Sequence, residues 1–172
     1  MKLFKSGKIG TMEVKNRIVM APMGLGRMAE ADGNWGERVQ EYYIARARGG
    51  TGLITTGLVF VSQKLEPFNR NHLKLNLDSH LESLCKIVEG VHQHGAKLSV
   101  QLTAGFGRVL ALARQDPNIP PISASTTPCF FNPERIARAI TTQEAEELAQ
   151  AFGETAKRCR MAGGRYNRAA WA

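Results

Sequence analysis

Cysteine is scarce in this sequence. Cys85, Cys129 and Cys159 are the only three in 172 residues. They are far apart and odd in number, which argues against a disulfide framework or a structural zinc site and fits a reducing cytoplasm. No apolar run nears the ~20 residues needed to span a bilayer. The opening MKLFKSGKIG has no apolar core of the signal-peptide kind. Acid is also in short supply, with 15 acidic residues against 23 basic ones, a net charge of +8. After Glu154 there are five basic residues and no acid. Such a balance would suit nucleic acid, but no zinc finger, RNP motif or aromatic-basic alternation accompanies it. Metal ligands are sparse as well. His92 and His94 are two apart and fall on different faces of a helix, so they make poor partners for one ion. A role at the helix's negative C-terminal end suits them better.

What is present is an alternation of short apolar strands and helices. A content of 43% hydrophobic and 22% charged residues is that of a globular domain. Ile18, Val19 and Met20 form a buried-strand signal that Pro22 stops, since proline has no N–H to donate. Gly24 and Gly26 then free the backbone to turn. Ahead of it, Leu3 to Asn16 reads as a small hairpin. Val39, Tyr42, Tyr43 and Ala47 set a helical period over Glu37 to Arg48, closed by Gly49 and Gly50. A second strand, Leu53 to Thr56, follows, with Gly57 behind it. Phe60 to Leu77 is a long irregular loop. Ser79 is a candidate cap for a helix whose apolar face is Leu81, Leu84, Ile87, Val88 and Val91. Gly95 ends that helix.

The third strand, Leu98 to Leu102, carries Gln101. A buried amide without partners costs about 1–3 kcal/mol, so Gln101 is either an edge residue or a ligand contact. A proline-rich connection spans Ala111 to Pro133. Thr141 and Glu144 then form a capping box ahead of a helix using Ala145, Leu148, Ala149, Phe152, Ala156 and Cys159, with Gly163 and Gly164 closing it. Strand, helix, strand in this order predicts a parallel sheet. The strand starts, near Arg17, Leu53 and Lys97, are 36 and 44 residues apart. Eight such units would need roughly 320 residues, the range of a (β/α)8 barrel with long loops.

The stretches RIVMAPMG, RARGGTGLITTG, LSVQLTAGFGR and the TTQE helix start, in this order behind the hairpin LFKSGKIGTMEVKNR, resemble the Old Yellow Enzyme family. The branch they are most similar to is that of NADH:flavin oxidoreductases, enoate reductases and dienoyl-CoA reductases. The resemblance implies an α/β fold, a partial (β/α)8 TIM barrel made of about the first three βα units after an N-terminal β-hairpin. It implies FMN as cofactor, NAD(P)H as hydride donor and an enone or enoyl substrate with an activated C=C bond. By the same resemblance, Ala21, Pro22 and Met23 match the turn whose backbone lies against the flavin ring. Gly24 matches a position where many relatives carry Thr or Cys on the flavin carbonyl, so here only a backbone N–H is available. Gly57 matches a small residue at the end of the second strand. Gln101 matches the glutamine that bonds the flavin's pyrimidine edge, for which an amide supplies both donor and acceptor. Arg108 matches a common arginine of unassigned role.

No catalytic residue and no metal ligand is assigned, because the family's substrate-binding pair, tyrosine proton donor and phosphate site belong to later strands. The closing GGRYNRAAWA has no strand pattern and no acid. Residues 1–163 therefore read as the N-terminal part of an FMN-binding TIM-barrel domain and 164–172 as an atypical tail. On this reading the chain is a truncated cytoplasmic oxidoreductase, inactive alone and holding FMN weakly if at all, with sheet edges open to association. The alternative is a non-catalytic remnant or interaction module with no bound cofactor.

Overall fold

The computed structural model describes residues 1–25, 28–62, 64–65, 72–109 and 118–164. The expectations resting on Gly26, Pro67, Pro117 and the tail beyond Gly164 lie outside those residues. Two strands, β1 (Gly7–Ile9) and β2 (Met12–Val14), pair antiparallel. Gly10 sits between them at φ +57°, a conformation that costs glycine nothing. Then come β3 (Val19–Met20), α1 (Glu37–Arg48), β4 (Leu53–Phe60), β5 (Leu73–Lys74), α2 (Asp78–Gln93) and β6 (Lys97–Thr103). After a 3-10 turn at Gly107–Val109 the chain forms β7 (Ile122–Ser123), β8 (Thr127–Pro128), β9 (Ile136–Ala139) and α3 (Thr142–Gly164).

β3, β4 and β6 are parallel neighbours, each followed by its own helix. These are the three βα units that the strand spacing predicts. β5 pairs with Val59 and Phe60 at the far end of β4 and so extends the edge that β3 begins. β5 and the small β7–β9–β8 sheet are not among the expected elements; strands of two to four residues have too little periodicity to read. Two further expectations are corrected. α2 begins at Asp78 with Leu77 as its N-cap and no side-chain cap bond, so Ser79 is already inside the helix. α3 reaches Gly164, at the closing glycines, but its Ala145 and Ala149 face solvent while Leu148, Thr155 and Cys159 turn inward.

The core lies between the sheet and the helices. Val39, Tyr43 and Ala47 of α1 meet Leu84, Ile87, Val88 and Val91 of α2 and Ile54, Leu98 and Val100 of the strands. Trp35 is fully buried, and its indole N–H donates to the Lys74 carbonyl at 2.7 Å. The Lys74 N–H in turn donates to Gly33 O at 3.1 Å. The segment after β3 is thereby fastened across to β5. His80 is also fully buried, with Nε2 3.7 Å from Asp32 Oδ2, and burial pushes its pKa below the ordinary histidine value.

The hairpin closes the end of the sheet where the strands begin. Lys15 reaches the last carbonyls of two helices, His94 O at 2.6 Å and Ala47 O at 3.5 Å, where a cation meets the negative helix ends. Asn16 accepts from Ile18 N–H at 3.0 Å and donates to Gly50 O at 2.7 Å. The opposite end, where the strands stop, carries the turns that follow β3 and β6.

The capping box forms as predicted. Glu144 N–H donates to Thr141 Oγ1 at 3.2 Å, and Thr141 N–H donates back to the Glu144 carboxylate at 2.9 Å. Arg138 adds a two-pronged contact at 2.5 and 2.8 Å. The arginine first, then the Thr141 N–H, pull the Glu144 carboxyl down to about 2 from 4.5. Because its folded pKa is depressed, its contribution is complete above about pH 4.5 and is lost as the pH falls towards 2. Glu144→Gln should therefore melt below the parent at pH 6, with the gap closing between pH 4.5 and 2 in thermal melts.

Candidate functional site

The site forms where β3, β4 and β6 end. β3 stops at Met20, as Pro22 dictates, and Ala21, Pro22, Met23 and Gly24 follow as an exposed turn. Met23 is 60% exposed. Among the described residues nothing lies within 4 Å of where a Gly24 Cβ would sit, so this position has room for a side chain. Tyr42 Oη donates to Met23 Sδ at 3.7 Å, which ties the turn to α1.

Gly57 is not behind the second strand, as its neighbours suggest, but inside it. β4 continues to Phe60 because the pairing with β6 skips a residue. Thr55 pairs with Ser99 and Leu58 with Gln101, so Thr56 and Gly57 together oppose the single Val100. This is a β-bulge, and it reverses the alternation of the strand. Ile54 before it and Val59 after it both point to the helices, though they are five apart. Side chains replace the ladder bonds that the bulge breaks. Gln101 N–H donates to Thr56 Oγ1 at 3.1 Å, the Thr56 hydroxyl donates to Gly57 O at 2.9 Å, and Gly57 N–H donates to Tyr43 Oη at 2.9 Å.

Gly57 is also where the first turn and the second strand touch. A Cβ there would collide with the Met23 carbonyl oxygen, and would stand 3.2 Å from Met23 C and 3.3 Å from Gly24 Cα. Only a residue without a side chain allows this approach. Gln101 lies across the ladder from Leu58 and is half-buried. Leu98, Val100 and Leu102 pack on the helix side of β6, so alternation puts Ser99, Gln101 and Thr103 on the opposite face. Among the described residues nothing bonds the Gln101 side-chain amide. Met23 and Gly24 thus touch Gly57, Gln101 stands across the ladder from the neighbouring Leu58, and Ala21 and Pro22 precede Met23 along the same turn.

Tyr43 and Thr56 are the residues that sequence reasoning missed. Tyr43 is fully buried, and burial pushes its phenol up to about 12, so it stays neutral throughout the physiological range. The available signal was a tyrosine at the centre of an apolar helix stripe, since a buried hydroxyl needs a partner. Tyr43→Phe leaves the buried Gly57 N–H without an acceptor. It should lower the unfolding free energy by about 1–3 kcal/mol in urea titrations.

Among the described residues no group of three or more His, Cys, Asp or Glu side chains is placed to hold a metal, and no helix is long and apolar enough to cross a membrane.

Comparison with known proteins agrees with this architecture. A model of the NADH:flavin oxidoreductase / NADH oxidase family matches residues 2–164. Cinnamate reductase of Clostridium sporogenes is 39% identical over 170 residues, which cover 94% of this chain and 24% of that protein. NADPH dehydrogenase of Listeria monocytogenes is 32% identical over 162 residues, covering 94% of this chain and 46% of that protein. The crystal structure of Old Yellow Enzyme from Pichia sp. AKU4542 superposes with a TM-score of 0.76 at 26% identity, covering 94% of this chain and 43% of that one. The chain thus spans between about a quarter and a half of the length of these relatives. Its three parallel βα units are a partial (β/α)8 barrel.

Proposed function

The chain belongs to the NADH:flavin oxidoreductase / NADH oxidase family, and from that membership we propose that its three strand ends form one wall of an FMN site. Bound there, FMN would supply the chemistry of hydride transfer from NAD(P)H to an activated C=C bond. The residues present fit such a group. The open face of β6 offers a glutamine amide free of partners among the described residues, and an amide matches the donor and acceptor edge of a flavin pyrimidine. Gly57 keeps the floor of the mouth free of side chains, so a flat ring can lie against backbone. Ala21, Pro22 and Met23 supply the adjoining backbone, and Gly24 contributes an N–H and no side chain. Residues 1–163 are on this reading the first part of an FMN-binding domain. The observation that carries the proposal is the meeting of Gly57 with the Met23–Gly24 backbone beside Gln101.

None of these residues is placed to meet a phosphate, so riboflavin tests the wall as well as FMN does. In nitrogen-edited NMR spectra of the whole chain, millimolar riboflavin and millimolar FMN should both shift the Gly24, Gly57 and Gln101 amide signals. Their apparent affinities should agree to within about threefold. Gln101→Leu should weaken both about tenfold, the worth of one or two hydrogen bonds. Signals that shift elsewhere, or not at all, would favour an interaction module that holds no cofactor.

A further inference from the structure

Met23 presents its two ends to different neighbours. Its carbonyl oxygen lies against Gly57, where a Cβ would sit, and its sulfur accepts from the Tyr42 hydroxyl at 3.7 Å. Those neighbours are themselves joined. Tyr42 packs edge-on against Tyr43 with ring centroids 5.3 Å apart, and Tyr43 Oη accepts from Gly57 N–H at 2.9 Å. The Arg46 guanidinium lies 3.5 Å from the centre of the Tyr42 ring, and Arg46 Nη1 donates to Tyr42 O at 2.9 Å. These contacts fix the Tyr42 hydroxyl in space and close a circuit of Met23, Tyr42, Tyr43 and Gly57.

The chain has six methionines. Met12, Met20 and Met28 are half-buried, while Met1, Met23 and Met161 are exposed. Of the exposed three, Met23 alone has a hydrogen-bond donor at its sulfur among the described residues. A thioether sulfur is a soft, polarisable nucleophile that accepts hydrogen bonds weakly. It has two lone pairs, and taking up oxygen at one or the other gives two different sulfoxide epimers. Met23 is 60% exposed, so a small peroxide reaches it. The Tyr42 hydroxyl engages one lone pair and leaves the other to solvent.

We propose that Met23 is a peroxide-modification site at which Tyr42, as a positioning residue, selects the sulfoxide epimer. The free lone pair attacks one oxygen of hydrogen peroxide. The Sδ–O bond forms and the O–O bond breaks. The departing oxygen leaves as water, taking the proton of the attacked oxygen. Sulfur is oxidised by two electrons and the peroxide is reduced by two. Two thiols, acting through a methionine sulfoxide reductase, reverse the step and give the thioether, a disulfide and water. Because the Met23 carbonyl abuts Gly57, the new S–O dipole is felt in β4 as well as in the turn. The site needs no flavin, so it stands or falls separately from the wall described above.

The test exposes the whole flavin-free chain to hydrogen peroxide and follows each methionine by peptide mass spectrometry. Two sulfoxide reductases, each specific for one epimer, then divide the product at each position. Met23 should oxidise faster than Met12, Met20 and Met28. One epimer should exceed the other at Met23 by about threefold or more, the lower end of what one hydrogen bond is worth. Met1, at 92% exposure, should give both in near-equal amounts. Tyr42→Phe retains the ring and removes only the donor, so it should keep the parent's melting temperature and bring the Met23 epimers to equality. In nitrogen-edited NMR spectra, oxidation should shift the Gly24 and Gly57 amide signals and the reductases should return them. Met23→Leu should abolish those shifts. Oxidation of Met23 no faster than that of the half-buried methionines would overturn the proposal. So would equal epimers in the parent, a Tyr42→Phe variant with the parent's ratio, or Gly57 shifts that persist in Met23→Leu.

Discussion

Gly57→Val is expected to lower the unfolding free energy by about 3 kcal/mol and to erase the riboflavin-induced shifts at Gln101. A valine brings three carbons to a position where even the first would strike the Met23 carbonyl oxygen, with Met23 C and Gly24 Cα only 3.2 and 3.3 Å away. All three obstacles are backbone, so no rotamer change relieves them, and overpacking of this kind costs about 1–3 kcal/mol, occasionally more. The turn after β3 must move away from β4, and the mouth loses its floor. The matched control is Gly24→Ala, one strand away. Among the described residues its new Cβ would meet nothing within 4 Å, and its unfolding free energy should stay within about 0.5 kcal/mol of the parent. Urea titrations of the two variants give the comparison. Equal stability of Gly57→Val and Gly24→Ala would show that the turn does not rest on Gly57.

Trp35→Ala should be the most destabilising single change, at about 3–5 kcal/mol, the usual cost of removing a buried large aromatic. Trp35 heads the fully buried side chains by volume, and its indole is the donor for the Lys74 carbonyl. Truncation therefore opens a cavity and also orphans a backbone acceptor at the strand that fastens the β3–α1 segment. Total stability for a domain of this kind is about 5–15 kcal/mol, so the variant would stand near the edge of folding. Far-UV circular dichroism during urea titration reads this without relying on the lost fluorophore. Trp35→Phe should recover part of the packing but not the bond to Lys74, and so fall between the two.

The three βα units and the hairpin were legible because each carries a repeated local signal. β-branched runs, a 3.6-residue period and terminal glycines all point to the same elements. Thr141 and Glu144 announced their helix by spacing alone. The site was legible in part. Pro22 marks where β3 ends, and Gln101 stands out as an amide in an apolar strand. Gly57 was recognisable as a small residue but not as a bulge. A bulge is defined by its partner strand, and the Thr55–Ser99 and Leu58–Gln101 register exists only once β4 and β6 are side by side. The role of Thr56 and the partner of the buried Tyr43 hydroxyl were illegible for the same reason. Their role is to satisfy backbone groups that only the bulge sets free.

Lys15 has a consequence for how the molecule is assembled. Its ammonium is anchored by the carbonyls of Ala47 and His94, 32 and 79 residues downstream. Neither anchor exists until the helix that bears it has been completed. A chain emerging in order from a ribosome thus makes its hairpin early but can dock it only after residue 94 has appeared and both helices have settled on the sheet. A segment made before either helix is the one that locks the finished arrangement from beneath.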